Sequence, residues 1–174
     1  QKMDPYCETC NPFFKFVSSC PREYIFDDGT GGEKFLEVIW VISSSLLYFI
    51  YLGLVLYALY KRTSRVVLLL IGLAIQQFFN DVVLKRSLAE ARPPGACSHS
   101  YGLPSGHSSF ASFLFTWLIL EWVMFHDKVP FRKSKFDLFM RLIGLIVCPF
   151  IPISRHFLNY HSVKQILYGI LDGF

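Results

Sequence analysis

Three separate segments of the 174-residue chain carry the side chains best suited to catalysis. The first runs from Lys85 to Arg92. The second is the tetrapeptide Pro-Ser-Gly-His at 104–107, and the third runs from Arg155 to His161. Converging cations without a neutralising acidic cluster suit an oxyanion, and a phosphate above all, because arginine forms paired hydrogen bonds to phosphate oxygens and lysine adds a point charge. The pattern therefore predicts a phosphate site assembled from distant parts of the chain.

The second segment lies just before an apolar stretch and adds backbone donors to this predicted site. Ser105 can cap the helix that follows, and the free N–H groups at the start of that helix then point at the bound anion. Gly106 permits close approach of the backbone to the phosphate. The predicted phosphate-binding residues are Lys85, Arg92, Ser105, Gly106 and Arg155.

Two histidines, His107 and His161, can divide a phosphoryl transfer between them. One attacks phosphorus, and the other protonates the leaving oxygen. Because arginine and lysine hold the charge that develops during transfer, we expect the reaction to need no metal ion and no other cofactor.

Each of these features has a simpler explanation when it is considered alone. Lysine and arginine at the end of a membrane span usually extend their charges to the lipid headgroups. The Pro-Ser-Gly-His segment can be an ordinary helix start with an exposed histidine. Asp81 and Lys85, four residues apart, either form a pair that positions the lysine or a plain helix ion pair. Three basic segments, two of them with a histidine, are harder to explain as coincidence.

The composition places these segments in a membrane protein. Hydrophobic residues make up 53% of the chain and charged residues 17%, and the mean hydropathy is +0.40. These values exclude a disordered chain and disfavour a soluble domain, which has about 25% charged residues. The net charge of +4 comes from basic residues scattered between apolar blocks, so we expect no nucleic-acid partner.

The apolar blocks predict an all-α, polytopic transmembrane helical bundle, since a helix needs about 20 apolar residues to cross the hydrocarbon core. The predicted bundle has four full spans and a fifth that begins near residue 160 and is truncated at 174. Because the last 14 residues make only about 21 Å of helix and the chain begins with Gln1, we expect a fragment of a longer protein. The four full spans are 38–60, 66–84, 108–125 and 138–154.

Loop charges predict the orientation of this bundle. The loops after the first and third spans are rich in lysine and arginine, which is typical of the cytoplasmic side. Residues 1–37 hold four basic and seven acidic residues and are expected on the opposite side. An even number of spans separates the three chemical segments, so all three are expected on that same lumenal or extracellular side.

Residues 1–35 are predicted to be an irregular lumenal segment, and residues 36–174 to be the membrane domain that carries the site. Cys7, Cys10, Cys20 and Cys97 fall on the predicted lumenal side, where disulfides persist. Their pairing cannot be read from the sequence, and a partial zinc site is the weaker alternative. Cys148 lies inside the fourth span and is expected to be a small core residue.

The order and spacing of the three segments resemble the signature of the type 2 phosphatidic acid phosphatase superfamily. The matching residues are Lys85 with Arg92-Pro93, then residues 104–107, then Ser154-Arg155 with His161. The resemblance covers about residues 38–174 and implies a membrane lipid phosphatase. It implies that His161 is the nucleophile that becomes a phosphohistidine, and that His107 is the general acid.

One position departs from the superfamily pattern, in which an Asp four residues after the nucleophile orients the imidazole. That position is Gln165 here, on the same helix face as His161. Its amide oxygen can still accept from the imidazole N–H, but a neutral amide raises the basicity of the ring less than a carboxylate does. Gln165 and Asp81 are the predicted orienting residues.

Within the superfamily, the segments around His107 and His161 are most similar to the eukaryotic dolichyl diphosphate phosphatases. That group implies hydrolysis of dolichyl diphosphate to the monophosphate, recycling of the glycan carrier lipid used in N-glycosylation, and an active site facing the lumen of the endoplasmic reticulum. Phosphatases of sphingosine 1-phosphate or lysolipid phosphates, or one similar to glucose-6-phosphatase, remain alternatives. The sequence does not indicate an oligomeric state.

Two non-enzymatic hypotheses are weaker. A lipid-phosphate binding protein without catalysis is disfavoured because both histidines are retained. A transporter or channel is suggested only by the intramembrane charges of Asp81, Glu121 and Arg141, which are not expected at one depth.

Overall fold

The computed structural model describes residues 31–94, 96, 98, 100–125 and 135–174. Every regular element in these ranges is helical, which confirms the predicted all-α class for the described part of the chain. The helices are α1 (Gly31–Lys61), α2 (Ser64–Phe78), a π-helical turn (Phe79–Leu84), α3 (Lys85–Leu88), α4 (Gly106–Phe125), α5 (Lys135–Val147), α6 (Phe150–Phe157) and α7 (Val163–Gly173).

Three helical stretches of the described chain are long and apolar enough to cross a membrane: Phe35–Lys61, Ser64–Leu88 and Leu138–Phe157. Helix α1 extends beyond both ends of the predicted span 38–60, because a helix that already satisfies its backbone hydrogen bonds continues past its apolar stretch. Large apolar side chains stay exposed along these stretches, including Phe49 at 60% and Leu59 at 68%. Such faces need lipid around them, so the chain is an integral membrane protein.

The predicted span 138–154 is interrupted by a proline. Helix α5 ends at Val147, and α6 starts again at Phe150 with Pro149 as its N-cap. Proline lacks a backbone N–H and its ring clashes with the carbonyl four residues earlier, so the helix breaks at this point. Cys148 sits in the break with 2% of its surface exposed, which confirms it as a core residue.

The core forms where α2 and α4 pack together, and it contains Cys148 from the end of α5. Leu73 and Phe110 are among its most buried members, with 0% and 1% of their surfaces exposed. The full buried cluster is Leu69, Leu73, Phe110, Leu114 and Cys148. This core holds together the helices on which the second chemical segment is mounted.

Small residues let α7 lie directly against α4. A Cβ atom on Gly169 would strike the backbone of Ser105, and one on Gly173 would strike the Cβ of Ser112. Close backbone approach through small residues is the usual way for membrane helices to associate. Because α7 follows His161 and α4 carries His107, this contact brings the two histidine-bearing segments together.

The intramembrane charge of Glu121 has partners. Its Oε1 lies 3.3 Å from Nη2 of Arg141 and 3.9 Å from Nη1 of Arg65, so one carboxylate from α4 links α5 and α2. Charges at membrane depth are stabilised by pairing of this kind. Cys7, Cys10, Cys20 and Cys97, with most of the predicted segment 1–35, lie outside the described residues.

Candidate active site

Arg92 joins the first predicted segment to the third. Its Nη1 atom donates to the carbonyl oxygen of Tyr160 at 3.1 Å and lies 3.0 Å from Nε2 of His161. The two residues are 69 positions apart in the chain. The predicted phosphate ligand and the predicted nucleophile are therefore direct neighbours.

The other edges of the Arg92 guanidinium are held by one serine. Nε donates to the carbonyl oxygen of Ser100 at 2.9 Å, and Nη2 donates to its Oγ at 2.8 Å. Burial lowers the pKa of Arg92 to about 10, so the group stays cationic at neutral pH. The loop between α3 and α4 thus presents a charged guanidinium in one orientation.

The hydrogen bonds of His161 fix its tautomer. Its Nδ1 lies 2.8 Å from the carbonyl oxygen of Gly102 and 3.3 Å from Oε1 of Gln165, and both of these atoms are acceptors. Nδ1 therefore carries the proton, and the lone pair resides on Nε2. The side chain is 2% exposed. Burial, and after it the charges of Arg92 and Arg155, hold the pKa of His161 well below its usual range, so the ring is neutral at pH 7.

The helix start at α7 holds Gln165 in place beside the histidine. Ser162 is the N-cap: its Oγ accepts from the backbone N–H of Gln165, and its own N–H donates to Oε1 of Gln165, both at 3.3 Å. This capping box is formed by local sequence alone, because serine and glutamine stand three residues apart at a helix start. The sequence-based expectation that the Gln165 oxygen faces the imidazole agrees with this geometry.

The Pro-Ser-Gly-His segment is pinned to the third segment by its backbone. The N–H of Ser105 donates to the carbonyl oxygen of Gln165 at 3.1 Å. The Oγ of Ser105 accepts from the N–H of Ser108 at 3.5 Å and from its hydroxyl at 3.0 Å, so the serine caps α4 as expected. A Cβ added to Gly106 would lie 3.6 Å from Nζ of Lys85, which shows how closely the lysine approaches this helix start.

His107, the second residue of α4, faces the same cluster. The edge of its ring meets the ring of Tyr48 with centroids 5.8 Å apart. Its Nε2 is buried and has no hydrogen-bond partner among the described residues. The charges acting on it are those of Lys85, Arg92, Arg155 and His161. An unpartnered imidazole nitrogen among cations is well suited to contact a bound anion or its leaving group.

Arg155 and Lys85 complete the positive charge of the site. Arg155 is 1% exposed, donates from Nη1 to Oγ of Ser44 at 2.5 Å, and stacks over the ring of Tyr160 at 4.2 Å. Lys85 Nζ lies 2.5 Å from Oδ1 of Asp81, which is the predicted pair between positions four apart. The cations thus converge from three elements, α3, the following loop and α6.

Several residues of the site were not found from sequence. Gly102 and Tyr160 act through backbone carbonyls, which leave no side-chain signal, and Ser44 comes from the distant helix α1. Glu90 lies between Lys85 and Arg92 in the sequence, but no sequence pattern predicts its hydrogen bond with Gln165. Among the described residues, no three His, Cys, Asp or Glu side chains form a group that could hold a metal ion.

Known proteins resemble this chain over the part that carries the site. The PAP2 superfamily matches residues 65–174. Dolichyldiphosphatase 1 of Homo sapiens is 32% identical over 136 residues, which cover 72% of this chain and 55% of that protein. Dolichyldiphosphatase of Saccharomyces cerevisiae (strain ATCC 204508 / S288c) is 27% identical over 159 residues, 86% of this chain and 63% of that protein.

The relative from Callithrix jacchus, Dolichyldiphosphatase 1, also shares 32% identity over 136 residues, 72% of this chain and 55% of that protein. The chain thus spans about half of the length of the curated relatives it matches. No solved structure matches it. The superfamily match covers more than half of the chain and contains all three segments of the site, and we conclude that the chain belongs to the PAP2 superfamily.

Proposed function

We propose that this protein is an integral-membrane lipid phosphatase that hydrolyses dolichyl diphosphate to dolichyl monophosphate and inorganic phosphate. The observation that carries the proposal is the neutral His161, which has its proton on Nδ1 and whose Nε2 accepts from Nη1 of Arg92 at 3.0 Å. A nucleophilic nitrogen beside a fixed phosphate ligand is the arrangement that phosphoryl transfer to histidine requires.

In the proposed reaction, Nε2 of His161 attacks the terminal phosphorus, and the bond from that phosphorus to the bridging oxygen breaks. His107 donates its proton to the departing oxygen, which leaves as dolichyl monophosphate. His107 then accepts a proton from water as the water attacks the phosphohistidine, which releases phosphate and restores both rings. The phosphoryl oxygens are bound by Lys85, Arg92 and Arg155, with Gly106 adding a backbone donor at the start of α4, which Ser105 caps.

The substrate is proposed from two supports. The matching relatives from Homo sapiens and Saccharomyces cerevisiae are named as dolichyldiphosphatases. In this chain, α1 and α2 have exposed apolar side chains, and α1 contacts Arg155 through Ser44, so a long lipid tail can stay in the membrane while its phosphates reach the site. Recycling of the carrier lipid of N-glycosylation is the role that this substrate implies.

The proposed topology has four full spans and a fifth that begins at α7, with the active site facing the lumen of the endoplasmic reticulum. The basic loops at 61–65 and 128–135 support this orientation, because such loops favour the cytoplasmic side. We also propose that residues 1–35 form a lumenal segment ahead of the membrane domain 36–174, where Cys7, Cys10 and Cys20 are in an oxidising compartment.

We propose that no metal ion takes part in the transfer. The proposal is supported by the two guanidinium groups and one ammonium group that converge on the site, because they can neutralise the charge that develops on the phosphoryl oxygens. Activity in the presence of a strong chelator tests this point directly.

The test is a substrate panel with the full-length protein purified in detergent, with chelator present. Dolichyl diphosphate should release phosphate faster than sphingosine 1-phosphate, phosphatidate or glucose 6-phosphate at equal concentration. His161→Ala should abolish release, and His156→Ala is the matched control because His156 is an exposed residue near the end of α6. Preference for one of the other substrates would replace the proposed substrate, and activity retained in His161→Ala would contradict the mechanism.

A further inference from the structure

Gln165 occupies the position where a carboxylate would orient the nucleophile, and its amide nitrogen is fully engaged. Nε2 donates to Oε1 of Glu90 at 3.1 Å and to the carbonyl oxygen of Ala91 at 2.8 Å. A primary amide has two N–H donors, so these two acceptors use both of them. Gln165 is 1% exposed, so water does not compete for these bonds.

These two hydrogen bonds from Nε2 determine where the amide oxygen of Gln165 points. With both N–H groups directed at the segment 90–91, Oε1 faces Nδ1 of His161 at 3.3 Å and the N–H of Ser162 at 3.3 Å. Rotating the amide by 180° would place its N–H groups against a protonated Nδ1 and its oxygen against the carboxylate of Glu90. The carboxylate therefore selects the amide orientation that accepts from the nucleophilic ring.

Glu90 is itself held as an anion. Its Oε2 lies 2.5 Å from Nζ of Lys164, in the first turn of α7. The hydrogen bond from Lys164 is the main cause that lowers the pKa of Glu90, so the group is ionised at neutral pH. The lysine side chain is 59% exposed, and water and salt screen its charge more than they screen the contact to the buried amide.

We propose that Glu90 is a positioning residue for the nucleophile, acting through Gln165: the chain Glu90–Gln165–His161 supplies, across an amide, the negative end that a carboxylate at position 165 would supply directly. This inference rests on the proposed function of His161. Glu90, which lies between Lys85 and Arg92, thereby gains a role that the sequence did not predict.

The sign of the effect follows from charge. We call the chain Glu90–Gln165–His161 the relay. The negative charge of Glu90 at its end stabilises the imidazolium form of His161, so removing that charge lowers the pKa of His161 and weakens the nucleophile. The relay works against the surrounding cations, which lower that pKa. The charged and titratable groups that act on His161 or on Glu90 are Lys85, Arg92, Arg155, His107 and Lys164.

Kinetics test the relay through five variants of the full-length protein. Glu90→Gln should reduce kcat for dolichyl diphosphate about tenfold, with KM changed less than about threefold, and should move the acid limb of kcat to lower pH. Glu90→Asp should recover part of the loss. Glu90→Ala and Gln165→Ala should each reduce kcat more than Glu90→Gln does. The double variant that combines Glu90→Ala with Gln165→Ala should lose no more kcat than the worse of its two single variants.

A readout without substrate separates this inference from the proposed function. In protein with ¹⁵N-labelled histidine, assigned through His161→Ala, the ring nitrogen shifts report the tautomer and pKa of His161. Glu90→Ala should lower this pKa, whereas Arg86→Ala, at an exposed position of α3, should leave it unchanged. Unchanged shifts in Glu90→Ala, or multiplicative losses in the double variant, would overturn the relay. If the wild type hydrolyses none of the phosphate substrates while the His161 ring nitrogen shifts still depend on Glu90, the proposed function is overturned and the relay remains supported.

Discussion

The guanidinium of Arg92 contacts Nε2 of His161 at 3.0 Å, so the proposed phosphate ligand lies directly against the proposed nucleophilic atom. In the proposed mechanism, an incoming phosphoryl group takes this guanidinium as its own partner before Nε2 attacks. The substrate therefore releases the nucleophile by binding, and a planar, forked donor is needed to serve both states.

Arg92→Lys should lower kcat/KM about a hundredfold or more, because an ammonium cannot replace the guanidinium that bridges Ser100, Tyr160 and His161. Steady-state kinetics with dolichyl diphosphate measure the loss. The matched control is Arg86→Lys, which conserves charge at an exposed position of α3 and should leave kcat/KM within about twofold. Equal effects of the two changes would show that Arg92 contributes charge alone.

Gly169→Ala should destabilise the protein by about 2 kcal/mol or more, since the added methyl group meets the backbone of Ser105, which cannot move aside as a side chain can. The Pro-Ser-Gly-His segment should shift with it, so activity should fall as well. Gly53→Ala in α1 is the control, because a Cβ there meets nothing within 4 Å and alanine favours the helix. Thermal unfolding in detergent measures both variants, and an unchanged midpoint in Gly169→Ala would contradict this packing.

Asp172→Ala should cost about 2–3 kcal/mol of unfolding free energy because it strips an acceptor from three donors in the bundle. Oδ2 of Asp172 accepts from Gln76 at 2.9 Å, from Asn80 at 2.7 Å and from Ser109 at 2.5 Å. Asp172→Asn keeps one oxygen acceptor and should cost less. Unfolding midpoints that rank the asparagine variant below the alanine variant would show that these donors do not depend on the oxygen.

Acid pH should reveal the suppressed pKa of His161. Its folded-state pKa lies well below the usual value, whereas the unfolded chain takes up the proton near pH 6.5. The unfolded state thus binds more protons below about pH 6.5, and stability contributed by the neutral ring is lost as pH falls toward the folded pKa.

The measurement is the unfolding midpoint against pH for the wild type and for His161→Ala. The midpoint of the wild type should decline more steeply below about pH 6.5 than that of the variant, since the variant lacks the group. His156→Ala, at an exposed position, should follow the wild type. Parallel curves for the wild type and His161→Ala would contradict the suppressed pKa.

Local patterns in the sequence predicted the helices and several of the side chains that the structure brings together. The apolar stretches predicted where α1 and α2 lie, although α1 begins at Gly31 and not at 38, because a membrane helix satisfies its backbone internally and needs only length and apolarity. The predicted cap at Ser105 acts within one turn, and such contacts are readable from spacing. The convergence of Lys85, Arg92 and His161 was predicted from the side of the membrane they share.

Contacts across the bundle could not be predicted in the same way. The carbonyl of Gly102 that fixes the His161 tautomer is a backbone atom, and every residue has one. The pairing of Glu90 with Gln165 joins positions 75 residues apart and depends on how the loop before α4 folds over α7. The start of α6 at Phe150 was also missed, because two prolines in an apolar stretch indicate a break without giving its position.

Trapping the phosphoenzyme tests the central claim most directly. The full-length protein is mixed with dolichyl diphosphate labelled with ³²P in its terminal phosphate, quenched in base within milliseconds, and digested for peptide mapping. We predict a base-stable, acid-labile phosphate on His161 that is absent in His161→Ala and that forms and decays more slowly in His107→Ala, because both steps use His107. Rapid turnover with no labelled protein at any quench time, or label on another residue, would contradict the account.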